Sequence, residues 1–324
     1  MAYLEIKDLS VAYCQGQVAA VRNCNLSLNR GETLGIVGES GSGKSTLALA
    51  LLRMLSSKTA QVTGAVMLDG QIVSNFDNKA FDRIRWKEIA MVFQKSMNSF
   101  SPVHRLGRQL ENIWLVHEPD KTRSEIKEKL LDLFVRCNLK PEVYRRYPFE
   151  LYGGMLQRVS IVMALMHNPG VLILDEATTA LDVLTQQQII LELKQLQKQF
   201  NFTLLVISHD LSVISKLCDR VAVMYCGQIV EMADAETIFT DGQYSHPYTE
   251  GLMLSIPRLD TPKDKKLEPI RGSVPNPLYL PAGCKFAPRC KYCTEKCQKE
   301  EPELAEVRPG HFVRCFFSEK AVRK

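Results

Sequence analysis

The segment Gly38-Glu39-Ser40-Gly41-Ser42-Gly43-Lys44-Ser45 restricts the fold more than any other part of the chain. It follows Thr33-Leu34-Gly35-Ile36-Val37, an apolar run bounded by glycines that suits a buried strand. It precedes Ser45 to Leu55, a strongly helical stretch. A strand, a turn of the form G-x-x-x-x-G-K-[ST] and a helix, in that order, wrap the backbone around a phosphate. Successive N–H groups and the helix N-terminus then point at negative charge. Lys44 is placed to reach the β and γ phosphates, and the Ser45 hydroxyl to bind Mg²⁺. The pattern predicts a nucleoside triphosphate site made by Gly38, Ser40, Gly41, Ser42, Gly43, Lys44, Ser45 and Thr46.

A triphosphate site of this kind needs a second acidic residue for the magnesium, at the end of a neighbouring strand. Val171-Leu172-Ile173-Leu174 is a short apolar run ending in Asp175-Glu176. Asp175 is the candidate for the Mg²⁺ shell, and Glu176 for the base that orients or deprotonates an attacking water. An Asp-Glu pair after a strand also serves as a helix N-cap, but beside a phosphate loop the hydrolytic reading is the stronger. Downstream, Ile189, Leu193, Leu196 and Phe200 form a helix stripe, Thr203 to Ile207 a buried strand, and Val221–Met224 with Gln228–Met232 a hairpin about Cys226-Gly227. Strands alternating with helices indicate an α/β layer with a parallel sheet. Residues 1–30 read as short alternating strands: Tyr3 to Lys7, Leu9 to Tyr13 and Cys24 to Leu28. Lys44 and Asp175 are 131 positions apart, too many for one βαβ step of about 30 residues, so a helical insertion is expected between them. Residues 120–139, with Ile126, Leu130, Leu133, Phe134 and Cys137 on one face, are part of it.

With 324 residues, 45% hydrophobic and 24% charged, the chain can fill a sizeable core, which excludes a disordered chain and a small disulfide scaffold. No apolar run approaches the roughly 18–20 residues a membrane helix needs, and Met1 to Leu9 has no signal-peptide pattern. A cytoplasmic protein is expected, with any membrane work done through a partner. From Arg258 onward there are 15 Lys and Arg against 9 Asp and Glu, so the basic charge sits in the tail. The cysteines gather there too: Cys284, Cys290, Cys293, Cys297 and Cys315 fall within the last 41 positions, behind a Pro-rich stretch that includes Pro257, Pro262 and Pro269. Without a signal peptide, clustered thiols suggest a metal or cluster rather than disulfides. Four thiolates suit either iron–sulfur or Zn²⁺, with His311 as the nearest alternative ligand.

The order of these motifs resembles the ATP-binding cassette (ABC) family over about residues 1–255. Besides the phosphate loop and Asp175-Glu176, Gln94 in Val92-Phe93-Gln94 matches the glutamine loop. Leu151-Tyr152-Gly153-Gly154-Met155-Leu156-Gln157 matches the signature motif, Ala180-Leu181-Asp182 the D-loop, and His209 the switch histidine. The resemblance implies an α/β P-loop cassette: a RecA-like core with an antiparallel β subdomain and a helical subdomain at approximately 95–165. It implies that Tyr13 stacks on adenine, that Gln94 touches Mg²⁺ and water, and that His209 contacts the γ-phosphate. Gly153 and Gly154 would present N–H groups to the ATP held by another cassette, and Asp182, in the D-loop match, would be a further nucleotide-binding residue. Two departures stand out. Tyr152 replaces the usual serine of the signature, and Ala177 stands where a proline is common.

Residues 256–324 resemble the linker and cysteine-rich extension of oligopeptide, dipeptide and nickel importer ATPases. On that resemblance Cys284, Cys290, Cys297 and Cys315 hold a [4Fe–4S] cluster, zinc being the alternative, and Cys293 is extra. The expected function is ATP hydrolysis that energises peptide uptake, or uptake of a related small solute such as nickel, at the cytoplasmic face of the cell membrane. The partners implied are a second, different ATPase subunit, two membrane permease subunits and an external solute-binding protein, with no nucleic acid. The alternative is a soluble ABC-type ATPase acting on nucleic acid or the ribosome, which the basic tail would serve. A third reading is a redox or metal sensor.

Overall fold

A computed structural model describes residues 2–94, 96–178, 181–240, 244–255 and 270–318. Ala180 of the D-loop match, the prolines at 257, 262 and 269, and the expected boundary at 255/256 with the start of the extension lie outside the described residues. The chain forms two compact units.

One unit holds residues 5–27, 34–67 and 208–324, and with them the phosphate loop. Strand Thr33–Val37 is buried along its whole length and runs parallel to Arg220–Tyr225, with Ile36 opposite Ala222. Burial on both faces is why this strand reads as a continuous apolar run. Arg220–Tyr225 turns back into Gln228–Asp234 as an antiparallel hairpin. The turn residues Cys226 and Gly227 both take positive φ (46° and 81°), which matches the strand twist. A second sheet is made of Leu4–Tyr13 with Val18–Leu28 and Ala60–Leu68. Its first strand is continuous where two short strands are expected from the sequence. Asp8 adopts φ 50° inside it, and Asn25 holds the kink by accepting from the Asp8 N–H (2.9 Å) and donating to its carboxylate (3.0 Å).

The described tail belongs to this unit and extends its sheet. His311–Val313 pairs antiparallel with Gln228–Asp234, Val313 standing opposite Glu231, and Ala305–Arg308 pairs with His311–Val313.

The other unit holds residues 1–4, 28–33 and 68–207. Its centre is a parallel trio in which Val171–Asp175 lies between Ile89–Val92 and Thr203–Ile207, all three fully buried. Between Val92 and Val171 come helices Leu106–His117, Arg123–Arg136 and Gly153–Leu165. Helix Arg123–Arg136 starts at a capping box in which the Thr122 hydroxyl accepts from the Glu125 N–H and the Glu125 carboxylate accepts from the Thr122 N–H. Its face Ile126, Leu130, Leu133 and Phe134 is buried, and Asn138 (φ 54°) turns the chain out of the helix. Helix Val183–Phe200 is capped by the Asp182 carboxylate, which accepts from the N–H groups of Leu184 and Thr185. Among the described residues no helix is long and apolar enough to cross a membrane.

Candidate active site

The phosphate loop is shaped by backbone contacts that only glycine permits at two positions. Gly38 sits at φ 153° and Gly43 at φ 105°; a Cβ would stand 2.2 Å from the Met224 carbonyl oxygen at the first and 2.3 Å from the Ala20 oxygen at the second. Helix Lys44–Leu51 begins directly after Gly43, whose position as N-cap supplies no side-chain oxygen to the first turn. A helix start of this kind is where an anion is commonly bound. Lys44 is buried, and its ammonium donates to the carbonyls of Gly38 (2.7 Å) and Glu39 (2.9 Å) and to the Ser42 hydroxyl (3.2 Å).

Glu39 is tethered at both ends. Its N–H donates to the Tyr248 hydroxyl (2.8 Å), and its carboxylate takes a two-pronged ion pair from Arg289, at 2.6 Å from Nη1 and 3.0 Å from Nη2. In the same unit Tyr13 ends strand Leu4–Tyr13, half-buried. His209 is exposed in the turn before helix Leu211–Leu217, whose N-cap is Asp210.

In the other unit, Asp175 is buried as the last residue of its strand, and Glu176 follows it with φ 48°. A non-glycine residue in the left-handed region needs outside support. The Glu176 N–H donates to the Ile207 carbonyl (2.8 Å), and its carboxylate accepts from the Gln94 amide (2.5 Å). Two residues 82 positions apart, both predicted to act on the attacking water, are thus hydrogen-bonded to each other.

Gly153 and Gly154 open helix Gly153–Leu165. Tyr152, its N-cap, makes no side-chain hydrogen bond and is 84% exposed. A Cβ on Gly154 would stand 2.6 Å from the Thr185 methyl group, so this helix end packs closely against the start of helix Val183–Phe200. The Arg158 guanidinium pairs with the buried Glu192 carboxylate through two contacts of 2.8 Å.

In the tail, Cys284, Cys290, Cys297 and Cys315 line one cavity together with Phe286, Tyr292 and Phe316. Cys290 accepts from the Tyr292 N–H and Cys315 from the Phe317 N–H, each at 3.4 Å. Burial, reinforced by the neighbouring sulfurs, pushes the Cys284 thiol up to about 11 and the Cys290 thiol up to about 12. Cys293 is not part of that lining; its Sγ faces the Thr294 carbonyl at 3.6 Å. Nor is His311, whose Nε2 is 2.8 Å from the buried Glu231 carboxylate; its place outside the lining is what counts against it as an alternative ligand. Among the described residues, no three His, Cys, Asp or Glu side chains converge to hold a metal ion.

The ABC transporter family model matches residues 21–179, and the model for the oligopeptide/dipeptide transporter C-terminal region matches residues 230–297. The oligopeptide transport ATP-binding protein OppD of Escherichia coli (strain K12) is 41% identical, covering 97% of this chain and 93% of its own. AppD of Bacillus subtilis (strain 168), of the same description, is 40% identical over 98% of this chain and 97% of its own. The chain belongs to the ABC transporter ATP-binding family, in its oligopeptide-transport branch.

Solved ABC cassettes carry the same fold. One from Clostridium perfringens, described as part of the ABC transporter complex cbiONQ, is 25% identical with a TM-score of 0.65, covering 74% of this chain and 91% of its own. The cassette MJ0796, solved as a dimer with ADP and phosphate, is 27% identical with a TM-score of 0.63, covering 72% and 98%. For an ABC protein, the Arg289–Glu39 tether is the feature that motif reading misses. One signal for it exists in the sequence: an acidic side chain inside an anion-binding loop calls for a nearby cation.

Proposed function

We propose that this chain is the ATP-hydrolysing subunit of an importer for oligopeptides or dipeptides, acting at the cytoplasmic face of the membrane. The observation that carries this reading is similarity to oligopeptide transport ATP-binding proteins that runs through the tail as well as the cassette. In this reading Lys44 leaves its carbonyl partners to meet the β and γ phosphates. The N–H groups of the loop and of the helix start bind the phosphate oxygens, Tyr13 takes the adenine, and His209 takes the γ-phosphate. Ser45, Asp175 and Gln94 are the residues for Mg²⁺, which when bound neutralises charge on the β and γ oxygens. Glu176, held by Gln94, accepts the proton of the attacking water. Gly153, Gly154 and Asp182 face the nucleotide of a second, different cassette, and two permease subunits and a solute-binding protein complete the importer.

Reconstitution with those partners tests the reading. Hydrolysis is expected to rise when peptide-loaded binding protein is added; hydrolysis indifferent to peptide would contradict it.

Tyr152 supports a pair of unlike cassettes. A serine there would cap helix Gly153–Leu165, a contribution of about 0.5–2 kcal/mol, and would hold a hydroxyl near the helix end. The phenol does neither. The composite site using this chain's signature is therefore the weaker one. Tyr152→Ser is expected to raise steady-state hydrolysis of the reconstituted complex severalfold, and an unchanged rate would contradict the asymmetry.

What supports a thiolate-bound group in the tail is the lining of one cavity by four cysteines, two of whose sulfurs accept backbone N–H groups, although the four do not converge as a preformed metal site. Cys284, Cys290, Cys297 and Cys315 would hold a [4Fe–4S] cluster, whose chemistry here is to crosslink a segment with little core of its own. Purified without oxygen, the protein is expected to be brown, with about four irons per chain by the cluster's own stoichiometry. A colourless protein with stoichiometric zinc would replace the cluster by zinc.

A further inference from the structure

Glu39 poses an electrostatic problem. It is the second residue of the phosphate loop, so a full negative charge lies where a polyanion is to be bound, and like charges in proximity oppose binding. The structure answers this with one side chain from the tail. The Arg289 guanidinium grips both oxygens of the Glu39 carboxylate, and its side chain is only 4% exposed. It is held in turn by its Nε, which donates to the Arg271 carbonyl (2.9 Å), and by the Tyr225 and Phe286 rings, 5.8 and 5.9 Å from the guanidinium carbon. Such a planar, two-pronged pair, with its guanidinium buried and its carboxylate partly exposed, is more closely fixed than a surface ion pair.

We propose that Arg289 is a positioning residue for the nucleotide site: it neutralises and orients Glu39, so that the phosphate loop accepts a triphosphate only while the tail is docked. The inference rests on the reading that this loop binds ATP. It makes the tail part of the nucleotide site. Arg289 immediately precedes Cys290 and follows Phe286 by three positions, and both of those residues line the four-cysteine cavity. A change that reorganises that cavity has a route to the loop through this side chain, beside the one through Phe286 and the Tyr248 hydroxyl that accepts from the Glu39 N–H.

The test is equilibrium binding of a fluorescent ATP analogue with Mg²⁺ to the full-length chain. Arg289→Met, which leaves Glu39 uncompensated, is expected to weaken binding about tenfold. Glu39→Gln keeps an oxygen for Arg289 but removes the negative charge, and is expected to tighten binding about threefold. The double variant is expected to return to within about threefold of the unaltered chain. Charge neutralisation thus predicts opposite signs for the two single changes, whereas a merely structural tether predicts weakening by both. If Arg289→Met fails to fold, as judged by loss of a cooperative melt, the sign of the Glu39→Gln effect alone decides. Glu39→Gln with weakened or unaltered affinity, or a double variant no better than Arg289→Met, would overturn the proposal. Failure of the unaltered chain to bind the analogue would instead overturn the nucleotide reading beneath it.

Discussion

Replacing Glu176 by Gln is expected to lower ATP hydrolysis by the assembled transporter by about 10²- to 10⁴-fold while leaving ATP binding intact. The backbone supports this choice of substitution. Glu176 is held at φ 48° by the bond from its N–H to the Ile207 carbonyl, which the new side chain does not touch. The Gln94 amide, now 2.5 Å from the carboxylate, still finds an oxygen on an isosteric amide. What disappears is the capacity to take a proton. Phosphate release measures the loss, and retention of labelled ATP on the complex measures the binding that remains. Unchanged hydrolysis would mean that this chain's own phosphate loop does not serve the working site.

Lys44→Ala is expected to weaken ATP binding by about 100-fold or more, because it removes a buried charge whose partner in the bound state is a desolvated polyanion. The buried ammonium donates three hydrogen bonds inside the loop, so a thermal melt must accompany the titration. A variant that melts as the parent does and still binds ATP with near-parental affinity would remove Lys44 from the phosphate site. The two changes separate binding from chemistry. Glu176→Gln traps nucleotide, whereas Lys44→Ala never acquires it.

The parts of this molecule legible in the sequence are those set by local patterning. Thr33–Val37 and Thr203–Ile207 coincide with their apolar runs because each is buried along its whole length. The helix expected over 120–139 shortens to Arg123–Arg136, since Thr122 caps its start and Asn138 turns the chain at its end. Asp8 interrupts the alternation of its strand and reads as a break, but the Asn25 side chain keeps the strand continuous across it.

Long-range pairing was not legible. Three residues, His311–Val313, join the sheet beside Gln228–Asp234, too short a segment to show any period. The Arg289–Glu39 pair spans 250 positions, and neither residue announces the other except through the cost of leaving an acid alone in an anion site. The order of motifs proposes Gln94 and Glu176 individually, Gln94 through its match to the glutamine loop. Their hydrogen bond to each other is a property of the folded unit, in which strands Ile89–Val92 and Val171–Asp175 lie side by side.

The most direct measurement is equilibrium dialysis of the purified full-length chain against labelled ATP with magnesium. Saturable binding at one nucleotide per chain is expected, abolished by Lys44→Ala and preserved by Glu176→Gln. Absence of saturable binding by the folded chain, or binding that ignores Lys44, would contradict the nucleotide reading.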